Sequence, residues 1–268
     1  MNAYCVGIVR YSILSYTQGG GWETFSQDLD EYQRKLFDPG RLALHQRLFS
    51  EVTLASLDSQ SVELSKDWFT LLVLTSTELP KENRAFLEQL NASRDWMEIK
   101  ALPPENPGMG AAVMECLKAR VDTPVYATLR LDDDDALAND YFARLSPYLA
   151  PRFRNFAVSF ASGYAGLHNG EGYTRFKQYY QPNVALGLAS IHDKQQLTKK
   201  TGEAKQIFQL GNHTKIDRRV PVILDSRQPA YIRTVHEHSD SAKRTVRKVS
   251  KLDDVPFETV KVKFPTCL

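Results

Sequence analysis

Cysteine is scarce in this 268-residue chain. Cys5, Cys116 and Cys267 are odd in number and far apart, so they form neither a disulfide framework nor a CxxC metal site. An excess of charge of one sign is also lacking, because the formal net charge is only +2. Without a basic face interleaved with aromatic residues, this value argues against nucleic acid as a partner.

Long hydrophobic runs are missing as well. The beginning of the sequence lacks the basic segment and apolar run of a secretion signal, and no stretch is long enough to span a membrane. We therefore expect a cytoplasmic protein. Hydrophobic residues at 42% and charged residues at 25% are ordinary values, which predicts a folded chain of one large domain or two closely joined ones.

Short apolar segments alternate with amphipathic ones through the first half. We predict strands at 4–10, 68–74, 97–99 and 125–131, because each is short, apolar and rich in β-forming residues. The glycine run at 19–21 is predicted to be a loop. This order predicts an α/β fold with a mixed, mostly parallel sheet flanked by helices. The predicted helices are one after Asp38-Pro39-Gly40 with Leu44, Leu48, Val52 and Ala55 on one face, one opened by Pro80, one through 114–117 and one over 136–149.

The second half has a different character. Short β-like pieces at 156–160 and 184–191 are separated by Gly, Asn, His and Tyr, which predicts a smaller β-rich C-terminal portion. No linker divides the chain, so we expect two halves of one domain, at 1–150 and 151–242, followed by a basic tail at 243–268. The tail is predicted to be loosely structured and solvated, with a membrane or partner contact as the alternative.

Four successive aspartates directly follow the predicted strand at 125–131. We call Asp132, Asp133, Asp134 and Asp135 the acidic run; ligands of open, mostly parallel sheets bind at such strand ends. Neighbouring buried carboxylates need a compensating cation, and Mg²⁺ or Mn²⁺ prefers oxygen ligands, including those of phosphate. In an extended chain Asp132 and Asp134 point one way, and Asp133 and Asp135 the other. The competing interpretation is an acidic cap, with Asp135 foremost, on a helix that begins near Ala136.

A family resemblance is carried by several separate stretches. Leu129-Arg130-Leu131-Asp132-Asp133-Asp134-Asp135-Ala136-Leu137 resembles GT-A-fold glycosyltransferases, whose DxD motif holds a metal ion and the diphosphate of a nucleotide sugar. More narrowly, the chain is similar to the bacterial family of putative rhamnosyltransferases. The further matching stretches are Arg10-Tyr11-Ser12, Leu36-Phe37-Asp38-Pro39 with Arg41 and Arg47, Leu72-Val73-Leu74-Thr75-Ser76, and Ile232-Arg233-Thr234-Val235-His236-Glu237-His238 with Ser241.

The resemblance implies a GT-A-like fold and a metal-dependent glycosyltransferase that uses a dTDP- or UDP-linked sugar, with rhamnose as the first choice. The half at 1–150 would bind the donor, and 151–242 would bind the acceptor and complete the metal shell. Asp134 and Asp132 would hold Mn²⁺ or Mg²⁺, with Asp133 and Asp135 as the alternative pair. The third ligand would be His236, or else His238; the competing interpretation is a surface histidine pair. Donor contacts are implied for Arg10, Thr75, Arg130, Asp132, Asp133 and Arg233.

Sugar transfer with inversion, the expected outcome, needs a base that deprotonates the acceptor hydroxyl. The candidates are Asp217, His213 and Glu171, all in or near polar, glycine-containing loops. Tyr179 and Tyr180 are the predicted acceptor-binding residues, because sugars stack on aromatic rings. The expected acceptor is a glycan or a lipid-linked precursor, with the basic tail as a peripheral contact to the inner membrane. The alternative functions are phosphoryl transfer and a non-enzymatic domain with a structural metal site.

Overall fold

The computed structural model describes residues 3–16, 28–198, 203–239 and 242–267. The predicted glycine loop at 19–21 and Ser241 lie outside these residues. The strands are β1 (Tyr4–Arg10), β2 (Phe69–Ser76), β3 (Met97–Leu102), β4 (Val125–Arg130), β5 (Ala136–Leu137), β6 (Ala157–Ser159), β7 (Ser162–His168), β8 (Tyr173–Tyr180), β9 (Leu188–Asp193), β10 (Val222–Leu224), β11 (Tyr231–Val235) and β12 (Asp254–Val255). The α-helices are α1 (Leu29–Leu36), α2 (Pro39–Leu48), α3 (Ala55–Asp58), α4 (Lys81–Ala92), α5 (Met109–Arg120), α6 (Tyr141–Leu145), α7 (Ala242–Val249) and α8 (Phe257–Lys261).

The larger sheet has the strand order β10-β6-β9-β4-β1-β2-β3. β1 runs parallel to β2 and β4, and β3 runs parallel to β2, whereas β9 is antiparallel to both β4 and β6. Alternate residues of β1 enter two separate cores, Cys5 and Val9 on one face and Val6 and Ile8 on the other. The predicted mixed, mostly parallel sheet is confirmed, and all four strands predicted in the first half are present.

The smaller sheet has the order β12-β8-β7-β11-β5. Its β7–β8 hairpin falls where the sequence interpretation places only connecting residues, so that interpretation is wrong. Glycines such as Gly163 and Gly166 suggest turns in the sequence, but within β7 they leave room for the rings of Tyr231, Tyr173 and Phe176. The predicted smaller β-rich portion is confirmed. Both sheets draw strands from both sides of residue 150, because β6, β9 and β10 complete the larger sheet and β5 joins the smaller one.

A continuous helical segment precedes β2 and packs beneath the acidic run. Asp38 caps α2 by accepting a hydrogen bond from the backbone N–H of Arg41, and Pro39 occupies its first turn. The helix continues through a π-helical stretch, Phe49–Leu54, into α3. Leu44, Leu48 and Val52 are buried, as the apolar spacing predicts.

Two predictions about the elements that follow β4 and β11 are wrong. Residues 136–149 do not form one helix, because 136–137 pair with β11 as β5 and α6 begins only at Tyr141. Asp135 therefore caps no helix. Residues 243–268 are not a loose tail, since Val249, Val260 and Phe264 are buried. None of the helices in the described ranges combines the length and the apolar content that a membrane crossing needs.

We predict that Gly163→Ala destabilises the protein. A Cβ at this position would lie 2.5–2.7 Å from ring atoms of Tyr231, and overpacking of this kind costs about 1–3 kcal/mol of unfolding free energy. Gly110→Ala is the matched control, because no atom lies within 4 Å of a Cβ there and alanine favours a helix over glycine. Urea unfolding followed by intrinsic fluorescence measures both variants. A Gly163→Ala protein as stable as the wild type would contradict the packing of β7 against β11.

Candidate active site

The carboxyl ends of β1 and β4 open on the same edge of the larger sheet, because the two strands are neighbours and parallel. β1 ends at Arg10 and β4 at Arg130, and only Leu131 separates β4 from the acidic run. A cleft of about 520 Å³ lies at this edge. The acidic run lines it together with Arg10, Arg41, Arg130, Arg233, His45 and His213.

Alternate members of the acidic run have different partners. Asp133 accepts a hydrogen bond from Nδ1 of His45 on α2, with 3.0 Å between Nδ1 and Oδ2. Asp135 accepts one from the backbone N–H of Thr234 on β11, at 2.7 Å. Both carboxylates are buried, whereas the side chains of Asp132 and Asp134 are 35% and 16% exposed. The pair most open to the cleft is therefore Asp132 and Asp134.

Burial opposes ionisation of both inward carboxyls, yet their pKa values move in opposite directions. For Asp133, the charge and hydrogen bond of His45 and the charge of Arg41 outweigh burial and lower the pKa. For Asp135, burial and then the negative charges of Asp134 and Asp132 raise the pKa well above its ordinary value. The carboxyl of Asp135 thus resists ionisation beside Asp134 and Asp132, and a cation bound in the cleft would offset the repulsion among them.

His236 lies just beyond β11 with a side chain that has no solvent exposure, so the surface interpretation is wrong for it. Its Nε2 donates to Oδ2 of Asp134 at 2.9 Å, and its Nδ1 accepts from the backbone N–H of His238 at 3.3 Å. These bonds place the ring proton on Nε2. His236 holds Asp134 in position here. To act as the implied metal ligand through Nε2, the ring would have to break this bond and carry its proton on Nδ1 instead. His238 lines the cleft with its side chain 34% exposed.

The cleft residues offer a divalent cation a small set of carboxylate ligands. Among residues 3–16, 28–198, 203–239 and 242–267, no group of three or more His, Cys, Asp or Glu side chains surrounds one metal position. Mg²⁺ nevertheless takes only one or two carboxylates from a protein when water and phosphate oxygens complete its shell. Asp134 and Asp132 fit that requirement, because they are the carboxylates most open to the cleft.

Arginines surround the outward pair. Terminal nitrogens of Arg10 and Arg130 lie 3.9 and 3.7 Å from the same oxygen of Asp132, and both guanidinium groups lie over the ring of Phe208, at 5.2 and 5.5 Å from its centre. These contacts are loose enough to be exchanged for contacts to an anionic ligand, to which a guanidinium offers a bidentate fork. Arg233 approaches from β11 and donates to the hydroxyl of Tyr179 at 2.9 Å.

The three candidate bases occupy different places. Nδ1 of the half-buried His213 donates to the carbonyl oxygen of Asn183 at 2.6 Å, so Nε2 keeps its lone pair, and burial lowers the pKa of this histidine. Asp217 is exposed, outside the cleft lining, and accepts a hydrogen bond from the side-chain amide of the same Asn183 at 3.3 Å. Glu171 lies on the exposed turn between β7 and β8, whose Gly170 carbonyl is held by Arg47. Only His213 faces the cleft.

Three other predicted site residues lie away from the acidic run. Tyr179 is buried and Tyr180 is 56% exposed, because adjacent residues of β8 point to opposite faces, so they form no shared platform. Tyr179 contacts the site through Arg233. Thr75 is buried within β2, and among the described residues its hydroxyl has no hydrogen-bond partner.

Sequence reasoning missed two residues of the cleft wall. His45 lies in the middle of α2, where the helical pattern indicates only a buried face. Ser12 has a φ of 47°, a left-handed conformation that is uncommon outside glycine and that recurs at functional sites. Its hydroxyl accepts a hydrogen bond from Arg41 at 3.0 Å. Arg10-Tyr11-Ser12 is one of the stretches that resemble the family, and Arg41 belongs to another. This resemblance is the sequence signal that points to this part of the cleft wall.

A larger cavity, of about 970 Å³, lies elsewhere, between α5, β9 and residues 203–210. Ser190 and His192 line it, and a buried hydrogen bond of 2.7 Å joins their side chains. Leu197 and Glu203 also line the cavity, and residues 199–202 between them are outside the described ranges. We place the candidate site at the smaller cleft, because charged groups converge there at the carboxyl ends of parallel strands.

Residues 4–248 match the family model described as "Putative rhamnosyl transferase". The chain belongs to this family. It is thus a member of a glycosyltransferase family, which confirms the resemblance drawn from its motifs and disfavours both phosphoryl transfer and a purely structural metal domain. Among curated proteins, no significant match to the chain was found.

Solved structures with a similar arrangement include two chains that were crystallised with UDP. Residues 1–349 of S. aureus TarS in complex with UDP align with a TM-score of 0.48 and 12% identity, over 87% of this chain and 60% of that one. GalNAc-T7 with UDP, GalNAc and Mn²⁺ aligns with a TM-score of 0.45 and 12% identity, over 92% of this chain and 48% of that one. This family member spans about 60% of the TarS chain. The predicted α/β fold class, with a mixed, mostly parallel sheet and a smaller β-rich portion, is confirmed.

Proposed function

We propose that the protein is a metal-dependent glycosyltransferase that moves a sugar from a nucleoside-diphosphate donor to a hydroxyl of a glycan or lipid-linked acceptor. The observation that carries this proposal is the convergence of two cleft-facing carboxylates, Asp132 and Asp134, with Arg10 and Arg130 at the carboxyl ends of β1 and β4 and with Arg233 from β11. Family membership supports glycosyl transfer, and the family's description supports a rhamnosyl donor. A dTDP-linked sugar is our first choice of donor, and a UDP-linked sugar the second.

The donor's diphosphate is the ligand that best suits this charge pattern. Arg10, Arg130 and Arg233 bring three permanent positive charges to the cleft, and their planar forks match phosphate oxygens. Asp134, with Asp132, would hold Mn²⁺ or Mg²⁺, and His236 orients Asp134. When bound, the cation supplies positive charge that stabilises the leaving diphosphate.

His213 is our choice of catalytic base. Its Nδ1 proton is held by the carbonyl of Asn183, and the lowered pKa keeps the ring neutral near pH 7, so Nε2 can accept the proton of an acceptor hydroxyl. Attack from the side opposite the leaving diphosphate gives inversion at the sugar carbon. Asp217 and Glu171 remain the alternative bases.

The first prediction concerns binding. Wild-type protein should bind dTDP or UDP in isothermal titration calorimetry with Mn²⁺ present and weakly without it. Asp134→Asn should reduce Mn²⁺-dependent affinity by about tenfold or more, about 1.4 kcal/mol, because one hard oxygen ligand loses its charge. The exposed Asp95→Asn is the matched control and should bind as the wild type does. Absence of nucleotide binding by the wild type would sink the proposed function.

The second prediction concerns the base. His213→Asn should slow donor hydrolysis, with water as the acceptor, by about 100-fold or more while leaving Mn²⁺-dependent nucleotide affinity unchanged. Because burial lowers the pKa of His213, the wild-type rate should fall only below about pH 6.5 and stay flat above it. The measurement is the nucleoside diphosphate released across a pH series. If Asp217→Asn or Glu171→Gln, and not His213→Asn, abolishes the fall in rate at low pH, the base is the residue that was substituted.

The third prediction concerns location. We propose a cytoplasmic enzyme in peripheral contact with the inner membrane. The C-terminal elements expose three apolar residues, Val246, Phe257 and Val262, and two basic ones, Arg247 and Lys251. Truncation after residue 243 is unsuitable as a test, since it removes core residues. Reversal of both basic residues to glutamate should weaken cosedimentation with anionic vesicles, each charge contributing about 1 kcal/mol. Equal sedimentation of wild type and variant would refute the contact.

A further inference from the structure

His45 is the described histidine that joins helix α2 to the acidic run. Its side chain is 7% exposed, and it lines the cleft although no motif assigns it a role. The ring lies edge-on to that of His236, with 5.6 Å between their centres. Two histidines from distant parts of the chain therefore approach the run side by side, and each bonds to a different carboxylate.

The bond to Asp133 determines where the proton of His45 lies. The ionised carboxylate can only accept, so Nδ1 carries the proton that it donates across 3.0 Å. The other ring nitrogen, Nε2, has no hydrogen-bond partner among the described residues. A buried nitrogen of this kind calls for an explanation. Either the ring serves through Nδ1, as a clamp on Asp133, or it serves through Nε2, as a contact for a ligand.

The alternation of the acidic run favours the clamp. Asp133 and Asp134 form a turn, and exposed and buried carboxylates alternate along the run, so a bond that holds one carboxylate restricts the direction of its neighbours. His45 fixes Asp133, and the backbone N–H of Thr234 fixes Asp135. Without the bond from His45, Asp133 would be a buried carboxylate with a large desolvation penalty, and rotation of the segment toward the cleft would relieve that penalty.

We propose that His45 is a positioning residue that, through Nδ1 and Asp133, selects Asp132 and Asp134 as the carboxylates facing the cleft. By orienting this pair, His45 also supports the binding of any cation held there. Only this second part rests on the proposed function. Loss of such a supporting partner reduces metal affinity by about 10- to 100-fold in known sites.

Two substitutions separate the clamp from a ligand contact. His45→Asn places an amide N–H near the position of Nδ1 and removes Nε2, whereas His45→Gln places one near Nε2 and removes Nδ1. A clamp is preserved by asparagine and lost with glutamine. A ligand contact through Nε2 is instead preserved by glutamine and lost with asparagine. His168→Gln, in β7 outside the cleft lining, is the matched control, and thermal unfolding midpoints establish that all variants fold.

The first readout needs neither cation nor nucleotide. Carboxyl groups are labelled with a water-soluble carbodiimide and an amine, and the labelled aspartates are identified by mass spectrometry. In wild type, His45→Asn and His168→Gln, Asp132 and Asp134 should label while Asp133 stays protected. In His45→Gln, Asp133 should become labelled. Protection of Asp133 in both His45 variants, or labelling only in His45→Asn, would overturn the proposal.

The second readout is Mn²⁺ binding in the presence of UDP, followed by electron paramagnetic resonance of the free ion. His45→Gln should bind about 10- to 100-fold more weakly, and His45→Asn should stay near the wild-type value. Wild-type protein that binds no Mn²⁺ would refute the proposed function, and the labelling pattern would still decide the role of His45.

Discussion

Electrostatic repulsion among four adjacent carboxylates is the constraint on which the site depends. The structure meets it by dividing the run: Asp133 is directed to His45 below the strand end, and Asp135 to the backbone of β11. Asp132 and Asp134 are left toward the cleft, where arginines reduce their mutual repulsion. The lowered pKa of Asp133 and the raised pKa of Asp135 express the same division. His45 and Arg41 offset the burial of Asp133, whereas burial and the charges of Asp134 and Asp132 dominate at Asp135 despite the nearby Arg233. The ligand-binding character of the cleft follows from this partition.

The local part of this arrangement could be predicted from the sequence. Short apolar runs predict β1, β2 and β4. Because the four aspartates directly follow the last of these strands, they must lie at its carboxyl end. Arg10 and Arg130 could be assigned to the site for the same reason. The alternation rule narrowed the outward carboxylates to two pairs, but the choice between them depends on His45 and Thr234, which reach the run only after both sheets have formed.

The failures have a common physical origin. Residues 136–137 carry apolar side chains that suit a helix or a strand, and pairing with β11 decided the outcome. Gly163 and Gly166 suggest turns until the rings that fill their space are known. His236 looks like a surface residue in a polar stretch, yet it is enclosed beside Asp134. In each case the deciding contact comes from a residue remote in sequence, which local pattern cannot supply.

The bonds that hold the acidic run have a consequence for how the site forms. They join residues 88, 99 and 102 positions apart, from α2 at one extreme and β11 at the other. Contacts of such high sequence separation form late, because the entropy of closing long loops must be overcome first. An intact cleft therefore signals that nearly the whole chain has folded. A ligand that binds there stabilises the complete fold by mass action, and local loss of β11 would release two of the four aspartates at once.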